Sequence, residues 1–135
     1  MKNKKVIDEY INPIFRPTKL VVCKHVTEKD LNKKYCWYDD TKLENLGEYD
    51  ASTFYGVKTK DGKYGVIIIY LNDVLFDKKK YPMDEVINTL AHEALHYAYR
   101  LGDHNSFYLD NSTNEVFANL VGYAAQCAYK TYMKR

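Results

Sequence analysis

The chain has 135 residues, a length that suits one domain, residues 1–135, with a modest core. Hydrophobic residues make up 46% and charged residues 28%, which excludes a disordered chain; the net charge of +2 is nearly balanced, the short clusters Lys2, Lys4, Lys5 and Lys78-Lys79-Lys80 read as solvated loop ends, and nothing resembles a nucleic-acid motif. No apolar run approaches the roughly 20 residues that span a bilayer, and Val6-Ile7-Asp8-Glu9-Tyr10 is too polar for a signal-peptide core, so the expected setting is the cytoplasm, with no membrane and no nucleic-acid partner.

Three cysteines at wide spacing form neither a disulfide framework nor a CxxC metal pair and read as reduced, partly buried thiols. The 14 tyrosines imply many rings partly buried with the hydroxyl at the surface.

In chain order, residues 4–12 are expected to form a short helix ended by Pro13, with Pro13 and Pro17 bracketing an extended stretch. Lys19 to Val26 is β-branched and reads as a strand. Thr27-Glu28-Lys29-Asp30 reads as a helix start or turn, and Tyr35 to Tyr38 as a short strand. Residues 31–50 otherwise carry no clear period. Ser52 to Thr59 and Tyr64 to Leu71 flank Lys60-Asp61-Gly62-Lys63, which is a hairpin signature. The run Val66 to Tyr70 is apolar on both faces and belongs inside a sheet covered on both sides.

A helix starts near Tyr81-Pro82, with Asp84 and Glu85 at its positive end, and Gly102 is expected to end it. A second helix starts in Asn111-Ser112-Thr113-Asn114 and runs to about Met133. Strands first and helices last give an α+β fold, with a small antiparallel or mixed sheet packed on the two helices.

The first of these helices contains His92-Glu93-Ala94-Leu95-His96, an HExxH motif. Histidines four apart place both imidazoles on one helix face, one turn apart, where they reach a single zinc ion. Glu93 stands beside them as a base for a metal-bound water. At this composition the motif arises by chance in roughly 0.6% of chains, so a metal site outweighs coincidence. A catalytic site needs a third protein ligand. The downstream candidates are Glu115, in the first turn of the second helix, and His104, eight residues after His96. Asn119, one turn beyond Glu115, suits a hydrogen bond to a ligand histidine. Asp103 and Asp110 have no particular spacing.

The pair of elements resembles the gluzincin metallopeptidases, in which HExxH supplies two ligands and a catalytic glutamate, and a glutamate on the next helix completes the set. The resemblance lies in His92 to His96 and in Asn114-Glu115-Val116-Phe117-Ala118-Asn119. It implies a zincin-like fold, one zinc ion held by His92, His96 and Glu115, and Glu93 as general base. Asn119 stands where that family often has aspartate. The compact form also resembles small zincin-like proteins of phages and mobile elements, through Phe117-Ala118-Asn119-Leu120-Val121-Gly122-Tyr123. The rival pattern HExxHxxGxxH fails, because Tyr99 and Gly102 occupy its glycine and third-histidine positions.

The expected activity is zinc-dependent hydrolysis of a peptide or protein substrate, with the substrate added as a strand to a free sheet edge drawn from residues 52–71. Tyr97, Tyr99, Tyr108 and His104 are the candidates for stabilising the oxyanion. The alternative is a zinc-binding interaction or regulatory module without turnover.

Overall fold

The computed structural model describes residues 3–12, 14–15 and 17–135. Five strands form one mixed sheet: β1 (Val6–Ile11), β2 (Thr18–Lys24), β3 (Tyr35–Trp37), β4 (Ala51–Thr59) and β5 (Gly65–Leu71). Their spatial order is β1-β2-β5-β4-β3, with β2 and β5 parallel and the other pairs antiparallel. A short helix α1 (Glu28–Asn32) precedes β3, and two long helices follow the sheet, α2 (Met83–Asn105) and α3 (Asn114–Met133). The fold is α+β.

The apolar pattern of the central strands decides the layering. Along β2 and β5, Leu20, Val22, Ile67, Ile69 and Leu71 face one way and pack on α2 and α3. Val21, Cys23, Val66 and Ile68 face the other way, where Leu31 of α1 and Leu43 and Leu46 of the following loop cover them. A strand apolar on both faces thus sits centrally with both faces buried, as the run Val66 to Tyr70 requires. The hairpin of β4 and β5 forms in the expected place.

Two elements differ from their sequence expectations. Residues 6–11 form the edge strand β1 instead of a helix. An edge tolerates polar residues, and Asp8 there accepts a hydrogen bond from the Thr131 hydroxyl of α3 at 2.7 Å. The expected helix stop at Pro13 lies outside the described residues. Helix α2 also runs through Gly102 and ends at Ser106, which takes the left-handed conformation at its C-terminus. Gly102 serves packing instead. A Cβ there would meet the Phe107 carbonyl oxygen at 2.5 Å and the Phe117 ring at 3.2 Å, so the chain can fold back onto α2 only over a glycine.

The C-terminus of α3 is held by a buried cation. Lys24 is 4% exposed, and its ammonium donates to the Tyr132 carbonyl at 2.9 Å and to the Lys134 carbonyl. Burial pushes the Lys24 ammonium below its ordinary pKa. Among the described residues no helix is long and apolar enough to cross a membrane, and all three cysteines are buried and unbridged.

Candidate metal centre and cleft

Helix α2 carries the site because its sequence splits into two faces. Val86, Leu90, Ala94, Tyr97, Ala98 and Leu101 are buried against the sheet and α3. His92 and His96, on the opposite stripe, are exposed. Glu93 falls at the boundary and is only 5% exposed, turned towards β4.

The two imidazoles approach to 3.2 Å between their Nε2 atoms. Nitrogens held at about 2.0–2.1 Å by one tetrahedral zinc ion lie about 3.3–3.4 Å apart. The helix therefore presents this pair at the spacing that a shared ion needs, and the donor set suits zinc. Glu93 Oε2 lies 3.9 Å from His92 Nε2. One ligand atom from each of His92, Glu93 and His96 falls within 4.8 Å of the others, the one such group of three among the described residues.

Glu93 is held by a residue that the motif does not contain. The Thr53 hydroxyl of β4 lies 2.8 Å from Glu93 Oε1, to which it donates, and 3.2 Å from the Glu93 carbonyl oxygen. A buried carboxylate needs such donors, because it has left water behind. Thr53 has no sequence signal of its own. Only the pairing of Thr53 with Ile69 in the sheet, one face of which packs under α2, brings it to Glu93.

The histidine pair opens into a cleft of about 490 Å³ between α2 and β4. Arg100, one turn beyond His96, also lines it, and its guanidinium lies 3.5 Å from the centroid of the Tyr55 ring. Asn45, Glu48 and Tyr49, from the loop before β4, line it as well.

The strand along this cleft has a half-open edge. β3 pairs only with Val57–Thr59, and the Tyr38 amide reaches the Gly56 carbonyl at 2.9 Å. Beyond that point, among the described residues, nothing pairs with the outer edge of Ala51–Tyr55. The Asn72 amide donates to the Asp50 carbonyl, so Asp50, Ser52 and Phe54 direct their backbone groups towards β5. The amides and carbonyls of Ala51 and Thr53 consequently face the open side.

The other sequence candidates are dispersed. Glu115 is exposed in the first turn of α3, outside the group formed by His92, Glu93 and His96 and outside the cleft lining. The reason is register. Phe117, two residues later, packs against Tyr99, Phe107 and Gly102. The start of α3 therefore lies beside the last turns of α2, and Gly102 is about 9 Å along the helix from His96. Asn119 faces a separate apolar hollow with Phe15, Val116 and Tyr123. His104 lies within α2 and lines another hollow, beside Tyr38 and Lys63. Tyr97 is fully buried in the core, where burial pushes its phenol well above the usual range. Tyr99 and Tyr108 are exposed but do not line the cleft. Compared with protein-family models, curated proteins and solved structures, the chain matches none.

Proposed function

We propose that this chain is a zinc-dependent peptide hydrolase with a compact, zincin-like build. The observation behind the reading is the 3.2 Å separation of the His92 and His96 nitrogens beside a buried carboxylate. His92 and His96 would hold the ion, and bound zinc would supply Lewis-acid polarisation of a carbonyl and acidify water. Glu93 takes the proton of the attacking water and returns it to the leaving amine. Thr53 fixes Oε1 of Glu93, leaving Oε2 for the proton. The peptide backbone pairs with the free groups of Ala51 and Thr53, which sets the scissile bond beside the histidines. Glu115 is the third ligand that the gluzincin resemblance implies, and reaching the ion requires the first turn of α3 to move inwards.

A second reading rests on a specific observation. Glu93 lies within the same 4.8 Å group as the histidines, so its carboxylate can itself complete a three-residue metal set. No base would then be free, and the domain would bind metal without turnover. Glu93→Gln separates the two. On the hydrolase reading the variant keeps zinc at wild-type affinity and loses peptide cleavage. On the second reading it loses zinc affinity, and the wild type cleaves nothing. In the same zinc titration, a tenfold or greater loss in Glu115→Ala places that residue on the ion, and unchanged affinity removes it from the ligand set.

A further inference from the structure

We infer that the cleft selects its peptide by charge order, taking an acidic side chain on the N-terminal side of the scissile bond and a basic one on the C-terminal side. This rests on the peptide-hydrolase reading and names its substrate class. Apart from Glu93 and the two histidines, the cleft is lined by two charged residues, Arg100 and Glu48. They stand at opposite ends. Thr53 touches Glu93 and Tyr55 touches Arg100, so α2 and β4 pass the cleft in the same sense. Glu48 follows Gly47, whose carbonyl accepts from the side-chain amide of Asn72 at 3.2 Å, just past the Leu71 that pairs with Ala51, so Glu48 belongs to the Ala51 end.

A peptide that adds antiparallel to β4 runs from the Tyr55 end to the Ala51 end, and antiparallel pairing is the more stable geometry. Its N-terminal half then passes Arg100, and its C-terminal half passes Glu48. Tyr55 is two residues, about 7 Å, from Thr53. The acidic side chain therefore belongs about two residues before the bond that is cut.

Arg100 suits this role. Its guanidinium is stacked on Tyr55, which fixes the plane of the fork, and a fixed fork binds carboxylates bidentately. Its present partner, Asp103, is an exposed neighbour on the same helix at 3.4 Å, a contact that an incoming carboxylate readily replaces. Glu48 is exposed and makes no ion pair among the described residues.

The test uses zinc-loaded Glu93→Gln and fluorescent octapeptides of one composition, with acid before base or base before acid around a common centre. Polarisation should give about tenfold tighter binding for acid before base, since each half-exposed pair changes from attraction to repulsion on reversal. The preference should shrink in 0.5 M salt, where screening is strong. Arg100→Glu combined with Glu48→Lys should invert the preference, and Arg100→Ala should weaken it. Equal affinity for both orders, tighter binding of the reversed order, or no binding of either overturns the inference. Wild-type cleavage of a neutral peptide without charge preference would overturn the selectivity and leave the hydrolase reading standing. Ordered binding to Glu93→Gln, with no cleavage of any peptide by the wild type, would do the opposite.

Discussion

The contact between Thr53 and Glu93 makes a prediction that can be worked out from the geometry. Thr53→Val removes the hydroxyl and nearly preserves shape, so packing against α2 stays close to native. Glu93 then keeps its 5% exposure but loses a 2.8 Å donor to Oε1. A hydrogen bond to a charged group is worth about 1.5–3 kcal/mol, and a buried acceptor left without one bears its desolvation cost. The expected loss is therefore about 1.5–3 kcal/mol in urea unfolding. That corresponds to a lower melting temperature by roughly 5–12 °C at this chain length. A double-mutant cycle isolates the bond. In a Glu93→Met background, Thr53→Val should cost only the weaker contact to the backbone carbonyl, about 0.5–1 kcal/mol. A coupling of about 1–2 kcal/mol should remain. Coupling below about 0.5 kcal/mol would refute the claim that Thr53 orders the Glu93 carboxylate. Thr53→Ser, which retains the donor, should recover most of the loss.

Two further outcomes follow from packing. Gly102→Ala gains about 1 kcal/mol of helix propensity but drives a methyl into the Phe107 carbonyl, so net destabilisation of about 1–3 kcal/mol is expected, and a variant as stable as wild type in thermal unfolding would contradict the close approach. Lys24→Met preserves the length of the side chain and leaves the Tyr132 and Lys134 carbonyls without their shared donor. A loss of about 1–3 kcal/mol is expected, with faster amide exchange confined to the last turn of α3, and unchanged exchange there would refute the capping role.

The features written in one stretch of sequence were readable without a structure. The hairpin of β4 and β5, the buried run of β5 and both long helices follow from local period and turn chemistry. So does the pairing of His92 with His96, which depends only on helical geometry. Features that depend on tertiary register were not readable. The stretch 6–11 has two polar residues in its middle and no turn of its own, and only pairing with β2 makes it a strand. Glu115 shows the same limit. Its spacing from His96 says nothing of how far α2 extends, and α2 runs on to Asn105, where Ser106 takes the left-handed cap and Gly102 leaves room for the returning Phe107 carbonyl. Arg100 was within reach of the sequence. It continues the stripe of His92 and His96 by one more turn, and that stripe is the exposed one because Leu90, Ala94, Tyr97 and Leu101 take the buried side.

The open half of β4 begins where β3 turns away, through the Asp40 amide to Trp37 carbonyl bond, and an irregularity in β4 lies at the same point. Phe54 pairs with Ile68 and Val57 with Val66, so Tyr55 and Gly56 together oppose Ile67 in a bulge. Gly56 sits at φ +72°, a conformation that side chains rarely adopt. Before the bulge, Ala51 and Thr53 direct their backbone groups away from β5; after it, Gly56 and Lys58 do so, towards the β3 segment. One strand is thereby divided into a half that completes the sheet and a half left open beside His92, Glu93 and His96. A bulge strengthens the local twist, and the turn it gives the strand lies next to Tyr55, the residue on which Arg100 stacks. The glycine thus marks the boundary in the sheet: its carbonyl takes the last bond from the β3 side, and the strand edge before it is the one the helix overlooks.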